Sequence, residues 1–565
     1  MRTVQTRPRS AVRALHDVSR PPAVAHWLGW RSSLWVSGLR TRLQECNSSA
    51  LLAAFALLLV LGGCASFPLG VPHVPSHAIA DGDLTALGRV FGAEAAQHPG
   101  LSGFQVITSG HAAFVARAAL ADAAERTLDL QYYSVDDDLT TDLMLLRIVA
   151  AAERGVRVRI LLDDIHAPTR VFARRALAAH PDIQIRLFNP FLVADMSNLA
   201  RLGELVFDGV RLNRRMHNKL WVADNVLAIS GSRNLGSEYF DANPLANFSD
   251  VDMLAAGPVV NEMSLAFDAY WNSSMAVPMA ALATVPDAAE GVHVRQALLE
   301  RTAACRDVPP CHWLEDRGLL DALRTGSVAL SWARARFVHD QPERDKSENV
   351  AESRSIPIAG DARASDARTE LLIVSPYFVP DANERRHLAN LRAGGVRVAV
   401  LTNSLAATDS PAAHAGYARH RASMLRAGVE LFELRPEPGT PHKLTHRWRQ
   451  TSPSSLHAKF IVQDRARAMV GSMNQDPRSK LHNTEAWMVI DNVEIATELA
   501  ALFEEGSNPQ HGFRVGLTAA SGTTALEWDT NEGGSTVRYD AEPMTGFWWR
   551  LWRDVLGALI PEHLL

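Results

Sequence analysis

Two hydrophobic rhythms alternate along the chain. Leu128–Val135 (LDLQYYSV) switches between apolar and polar positions as a strand does, and Val156–Asp164 (VRVRILLDD) is an apolar run that closes on acids. Between them, residues 140–154 have helical character and stop at Gly155, where a left-handed cap is expected. The succession returns as LLIVSPYF (Leu371–Phe378), a helix up to Gly394-Gly395, and VRVAVLTN (Val396–Asn403). Strands alternating with helices predict an α/β fold, with mixed, mostly parallel sheets flanked by helices.

The similarity of the two stretches is a true repeat. Gly155-Val156-Arg157-Val158 recurs at Gly395-Val396-Arg397-Val398, and His217-x-Lys219 recurs at His457-x-Lys459. Asp224 with Asp464, Gly231 with Gly471, Ser232 with Ser472 and Asn234 with Asn474 keep the same offset. Ordered matches at one offset mark a duplicated domain. The expected organisation is a leader over 1–63, a linker over 64–100, a first repeat over 101–290 and an insert over 291–367. A second repeat over 368–510 follows, then a hairpin and amphipathic tail over 511–565. Within the insert, Gln341–Ala367 is polar and reads as a flexible surface loop.

Composition narrows the class. The 565 residues are 47% hydrophobic and 21% charged, which is enough apolar material for large cores and excludes a broadly disordered or collagen-like chain. A net charge of -5 lacks the global positive field of non-specific nucleic-acid binders, though a local basic groove stays open. With 4 cysteines there is no disulfide scaffold.

The apolar run Leu51–Leu61 is short for a spanning helix and suits a signal-peptide core, with Arg40 and Arg42 before it. Leu61-Gly62-Gly63-Cys64 then resembles a bacterial lipobox, in which Cys64 would carry the lipid and anchor the protein to a membrane of the cell envelope. The alternative is an ordinary signal anchor with an incidental cysteine. In an exported protein, Cys305 and Cys311 could close the CRDVPPC loop as a disulfide or stay free thiols.

The chemistry sits in MHNKLWVADNVLAISGSRN and LHAKFIVQDRARAMVGSMN. On a strand, residues two apart share a face, so His217 and Lys219 point together, as do His457 and Lys459. Asp224-Asn225 reads as a hairpin turn that returns Gly231, Ser232 and Asn234 beside the pair. Packing the two copies about a pseudo-twofold axis would unite both sets in one active site. No metal-ligand cluster accompanies them, and no metal or cofactor is expected.

The twofold pattern HxKxxxxD followed by GSxN resembles the phospholipase D superfamily. LDLQYY, VRILLDD, RLFNPF, RLNRRMHNK, FSDVDMLAAGPVV, SPYFVP, HAGYAR, SLHAK, DPRS and NTE extend the similarity to the bacterial cardiolipin synthases of the C type; the long leader and lipobox depart from that pattern. The resemblance implies a duplicated phospholipase D fold with the site between its halves. It also implies a catalytic set of His217, Lys219, Asp224, His457, Lys459 and Asp464, with substrate bound by Ser232, Asn234, Ser472 and Asn474. Read by themselves, Asp224 and Asp464 are turn residues more than catalysts. One histidine attacks phosphorus and the other serves as acid and base, the family order making His217 the nucleophile. Asp250 and Glu485 are expected to orient the imidazoles crosswise, Glu485 on His217 and Asp250 on His457. Arg211, Arg214 and Arg215 are candidates for a lipid phosphate or for a solvated basic loop. The implied substrates are phosphatidylglycerol and, as donor, phosphatidylethanolamine; the implied partners are a membrane surface and a helper protein, with no nucleic acid.

The tail Gly546–Leu565 mixes Trp and Arg on a short apolar helix, which suits either a bilayer interface or docking onto the protein body. Rival readings of the whole chain are a hydrolase that uses water as acceptor, a nuclease of the same superfamily, and a non-catalytic binding protein. The last conflicts with the retention of both His and Lys in each copy.

Overall fold

The computed structural model describes residues 74–562 apart from 193–200, 202, 205–207, 283–286, 304, 306–307, 344–366, 437–453 and 521–522. The apolar run at 51–61, Cys64 and most of the 341–367 stretch lie outside the described residues. All the described elements belong to the compact unit Phe67–Leu565.

The amino-terminal half contributes β1 (Ser102–Ile107), β2 (Thr127–Tyr132), β3 (Arg157–Asp163), β4 (Ile183–Phe188), β5 (Leu220–Ala223), β6 (Leu227–Gly231), β7 (Asn247–Ser249), β8 (Asp252–Ala256) and β9 (Ala276–Pro278). A long strand, β10 (Ser331–His339), leads into the other half. There follow β11 (Glu370–Val374), β12 (Arg397–Asn403), β13 (Glu430–Leu434), β14 (Ser454–Leu456), β15 (Phe460–Gln463), β16 (Arg467–Gly471) and β17 (Ala486–Asp491). The chain ends with β18 (Gly512–Ala520), β19 (Thr523–Glu532), β20 (Ser535–Tyr539) and the helix Phe547–Leu559.

Among the described strands, parallel pairing is found in β2–β3–β4, in β11–β12–β13 and in the short pair β7–β14, with isolated parallel bridges at Val135–Leu235, Met216–Thr484 and Phe378–Gln475. The expectation of mostly parallel sheets is corrected here, because every other pairing is antiparallel. The reason lies in the connections. Helical crossovers such as Leu139–Glu153 and Ala382–Ala393 return the chain in parallel, whereas the three-residue turns after β5 and β15 allow only antiparallel neighbours.

The two sheets are also continuous. β10 pairs with β1 through Ser331–Ala333 and with β17 through Arg334–His339, so a single 18-stranded sheet runs through both halves. β10 stands beside β17 as β1 stands beside β8, and the two equivalent strands meet at the pseudo-twofold axis. Residues 291–367 thus contain the first strand of the second copy.

Alternation within strands builds separate cores. Leu128, Leu130, Val158 and Ile160 face an outer helix layer, and Leu371, Ile373, Val398 and Val400 do the same in the second half. The opposite faces, with Leu220, Val222, Met253, Phe460, Val462 and Met488, join helices Pro258–Trp271 and Val493–Ser507 in one core shared by both halves. Gly155 and Gly395 end the crossover helices at φ 88° and 89°. Cys305 and Cys311 are joined as a disulfide.

The hairpins that follow the two His-x-Lys segments turn on Asp224-Asn225 and Asp464-Arg465, all at positive φ. The Asp224 carboxylate accepts from the amides of Glu125, Arg126 and Thr127 at 2.8–2.9 Å, which pins the turn to the start of β2. Asp464 accepts equivalent bonds from Arg368, Thr369 and Glu370 at the start of β11. Asp224→Ala would strand amides that are largely shielded from water, at about 1 kcal/mol or more each, so the urea midpoint should fall by the equivalent of about 3 kcal/mol. Asp464→Ala, whose amides are mostly exposed, should cost less than half as much. Equal losses at the two turns would contradict this account.

Candidate active site

Each reactive histidine lies just before a hairpin and is pinned by the opposite half. His217 donates its backbone N–H to Thr484 O at 2.9 Å, and Thr484 N–H donates to Arg215 O at 2.8 Å. Across the axis, β14 runs parallel to β7, and His457 N–H donates to Ser249 O at 2.9 Å. Thr484 precedes Glu485 and Ser249 precedes Asp250, so the backbone bonds deliver each carboxylate to the other half's imidazole.

Glu485 lies 2.9–3.0 Å from His217 Nδ1, and Asp250 Oδ1 lies 2.9 Å from His457 Nδ1. With Nδ1–H donated to a carboxylate, each Nε2 keeps its lone pair. Ser472 Oγ donates to Glu485 at 2.5 Å and accepts from Ala486 N. Ser232 Oγ donates to Val251 O at 3.0 Å. Both hydroxyls, expected to bind substrate, are therefore taken up inside the protein. Glycine precedes each serine of necessity, since a Cβ at Gly231 or Gly471 would fall 2.5 Å from Val251 O or 2.1 Å from Ala486 O.

Lys219 Nζ donates to His217 O at 2.6 Å, and Lys459 Nζ donates to His457 O. Both lysines are buried. Asn234 accepts from Ser134 N at 3.3 Å and donates to Tyr239 OH at 3.1 Å, while the buried Oδ1 of Asn474 has no hydrogen-bond partner among the described residues. Asp224 and Asp464 are not in the site. They sit at the far ends of their hairpins, on the order of 20 Å along the strand from the histidines, and brace the turns.

Other side chains complete the enclosure. Tyr133 meets His217 edge-on at 4.8 Å between centroids, and Lys219 Nζ lies 5.4 Å from the same ring. Tyr239 and Phe248 flank His457 at 5.4 and 5.0 Å. Arg233 donates to the carbonyls of Asp250 and Tyr239 and so holds the Asp250 loop. Tyr239 and Arg233 could not be found through the repeat, because Ser479 and Met473 stand at the equivalent positions. Asp163 and Asn403 could have been. They end the equivalent strands β3 and β12 and receive the N–H of Met216 and Leu456, the residues before the two histidines, at 2.9 and 2.8 Å. Arg211 pairs with Glu204 and Asp208, and Arg215 with Asp163, so these candidate phosphate ligands brace the loop before His217.

The electrostatics favour a bound anion. Burial lowers both histidines, and Lys219 and Lys459 push the same way against the carboxylates. Burial opposes ionisation of Glu485 and Asp250, yet the imidazoles and lysines hold both carboxylates down, Glu485 at about 2. Burial and Lys459 drive Lys219 well below the ordinary lysine value, and burial lowers Lys459 to about 8. The surroundings of the two histidines are polarised as well. Around Tyr239 stand Asp136, Asp138, Glu238 and Asp409, and burial with mutual repulsion raises Asp136 to about 7. On the His217 side, burial and the charges of Arg215, Arg201 and Arg478 lower His166. Among the described residues no group of His, Cys, Asp and Glu is gathered as a metal site needs.

A family model described as "Cardiolipin synthase, PLD-like domain" matches residues 118–271 and 362–506. The chain belongs to this phospholipase D family. Cardiolipin synthase C of Escherichia coli (strain K12) is 36% identical over 474 residues, 83% of this chain and 97% of that protein. Cardiolipin synthase A of Pseudomonas aeruginosa (strain LESB58) is 26% identical over 71% of this chain and 66% of its own. A phosphatidylserine synthase of Haemophilus influenzae Rd KW20, known from its crystal structure, is 13% identical with a TM-score of 0.48, over 75% of this chain and 91% of that one.

The lysines of this phospholipase D site give a pH signature. A cation lost near pH 8 should weaken anion binding well below the pH at which exposed lysines titrate. Calorimetric titration with sulfate, whose own charge is constant, should show Kd rising between pH 7 and 9 and approaching about tenfold per unit above pH 8. A Kd flat through pH 9 would remove Lys459 from the anion site.

Proposed function

We propose that this protein is a membrane-attached phosphatidyltransferase that makes cardiolipin. The observation that carries the reading is the pair of crossed imidazole–carboxylate couples flanked by two buried lysines, in a chain of the cardiolipin synthase family. His217 Nε2 attacks the phosphorus of a donor phospholipid. The bond to the headgroup oxygen breaks, and the departing alkoxide takes a proton from His457 Nε2. The primary hydroxyl of phosphatidylglycerol then gives its proton to His457 and attacks the phosphohistidine, which frees His217 and yields cardiolipin. Lys219 and Lys459 meet the negative charge that builds on the non-bridging oxygens. The same anion offsets the lysine charges that depress His457, so substrate binding helps to arm the acid.

The donor proposed is phosphatidylethanolamine. Its leaving headgroup is cationic and departs on the His457 side, where Asp136, Glu238 and Asp409 stand around Tyr239. Attachment to the envelope membrane is assigned to lipid at Cys64, with a helper protein as a further partner. A hydrolase uses the same groups with water in place of phosphatidylglycerol, and the acceptor is what distinguishes the two.

Purified protein in mixed micelles, given labelled phosphatidylglycerol with and without phosphatidylethanolamine, should form labelled cardiolipin, and more with the second lipid present. His217→Ala should lower the rate by at least about 10³-fold, since no phosphoenzyme forms. Phosphatidic acid without cardiolipin would make the protein a hydrolase. Glu238→Gln with Asp409→Asn should reduce the gain from phosphatidylethanolamine while leaving turnover of phosphatidylglycerol alone within about twofold, a change of under 0.5 kcal/mol in barrier. An undiminished gain would exclude the acidic rim from donor choice.

A further inference from the structure

The two histidines have the same partners but different walls. Tyr239, Phe248 and His457 are three rings in mutual contact, 5.4 Å between Tyr239 and His457, 5.0 Å between Phe248 and His457, and 5.0 Å between Tyr239 and Phe248. The second copy carries other residue types at the matching positions. Ser479 stands at the equivalent of Tyr239. Thr484-Glu485 corresponds to Ser249-Asp250, since each pair offers a carbonyl to a histidine N–H and then a carboxylate to its ring, so Asn483 corresponds to Phe248. Among the described residues, His217 meets one tyrosine or phenylalanine ring, that of Tyr133, edge-on at 4.8 Å.

The aromatic pair is fixed to His457 by backbone. Phe248 is the middle residue of β7, whose pairing with β14 sets Ser249 opposite Leu456. Ser249 O accepts from the N–H groups of His457 and Ala458 at 2.9 and 2.8 Å. Arg233 donates to the carbonyls of Tyr239, Ile107 and Asp250 at 3.1, 3.1 and 2.9 Å. One guanidinium thus holds both the tyrosine and the carboxylate that orients His457. Burial, with the charges of Asp136, Asp250 and Asp409, raises the Tyr239 phenol well above its ordinary value. The phenol stays protonated and takes no proton from an incoming hydroxyl, which leaves that step to His457.

The difference falls on the side where the acceptor is chosen. In the proposed reaction the phosphohistidine at His217 is attacked from the His457 side, by an alcohol or by water. Either gives its proton to His457 Nε2, and its oxygen bonds to phosphorus. The P–N bond breaks, and its electron pair returns to His217. Water is present at the concentration of the solvent, so a transferase has to disfavour it. Ring faces beside the base offer water few hydrogen bonds, whereas the carbons of an alcohol gain by covering them, by about fourfold for each CH2 buried.

We infer that Phe248 and Tyr239 determine the acceptor preference, their rings forming an apolar wall beside His457 that disfavours water and takes the carbon skeleton of a primary alcohol. This rests on the phosphohistidine chemistry of the proposed function and not on which alcohol is the natural one.

The full chain is given a short-chain phosphatidylethanolamine labelled in its acyl chains, with glycerol at a fixed molar concentration as acceptor. The readout is the ratio of phosphatidylglycerol to phosphatidic acid, which is internal to each sample and independent of how much of a variant folds. Phe248→Asn and Tyr239→Ser, which import the residues of the His217 side, should each lower the ratio by about tenfold, or about 1.4 kcal/mol in relative barrier. Phe248→Leu keeps the wall apolar and should hold the ratio within about twofold of the wild type. Tyr133→Ala opens the His217 side instead and should leave the ratio unchanged. If Phe248→Asn forms no product, Phe248→Ala carries the same comparison. A ratio equal to that of the wild type in the Phe248 and Tyr239 variants would overturn the inference, as would an equal fall in Tyr133→Ala. Wild-type protein that forms phosphatidic acid alone would overturn it as well, and a wild type inert toward the lipid would remove the reaction on which it rests. Alcoholysis here without cardiolipin in the micelle assay would leave the wall in place and remove only phosphatidylglycerol as the acceptor.

Discussion

Neither half of this protein can assemble a working imidazole alone. His217 is oriented by a carboxylate from the second copy and His457 by one from the first. The exchange is made by backbone as much as by side chains, through Thr484 O, Ser249 O and the β7–β14 pair. Everything larger serves that crossing. The inner faces of both sheets share one core, and β10 stitches the sheets together at the axis, so the halves cannot slide by a residue without turning buried side chains outward. Duplication gave two copies of His-x-Lys, and the crossing makes them one site.

The repeat made the site legible before any coordinates. An offset shared by His217, Lys219, Gly231, Ser232 and Asn234 located the reactive segments, and strand periodicity put His and Lys on one face. What repeats, though, is largely backbone architecture. Asp224 and Asp464 recur because both hairpins need a carboxylate to hold the amides of β2 and β11. Ser232 and Ser472 recur because a hydroxyl ties the return strand to its neighbour, and of the two Ser472 also reaches the carboxylate of Glu485. Residues that differ between the copies, such as Tyr239 and Arg233, shape the cavity without any internal counterpart to betray them. The sheet was misread for a related reason. The helix–strand rhythm is strongest over β2–β3–β4 and β11–β12–β13, and it hid the antiparallel hairpins that hold the chemistry.

Two buried lysines face the same cavity with their nearest bonds to carbonyls, an arrangement that favours folding little. Its effect on the groups around it is coherent. Burial, reinforced by the lysine charges, lowers both imidazoles, and the imidazoles and lysines together hold both carboxylates ionised, which on the proposed mechanism leaves one histidine free to attack a phosphodiester. On that mechanism the other must carry a proton to the leaving oxygen, a state that burial and the neighbouring lysines disfavour. An anion between the lysines would offset part of that effect and so tie acid strength to occupancy.

The same logic extends to the rim. A cavity lined by cations attracts any anion, so discrimination has to come from groups that meet the parts of the substrate away from phosphorus. Carboxylates gather around Tyr239, arginines lie toward His166, and the segment carrying Asp409 is tied to the C-terminal helix through Trp549. A phospholipid reaches phosphorus chemistry only if its headgroup leaves the interface while its chains stay in the membrane. The crossing of two carboxylates sets the reactive centre, and the charged groups around Tyr239 and His166, which the two copies do not share, bear on which substrate it accepts.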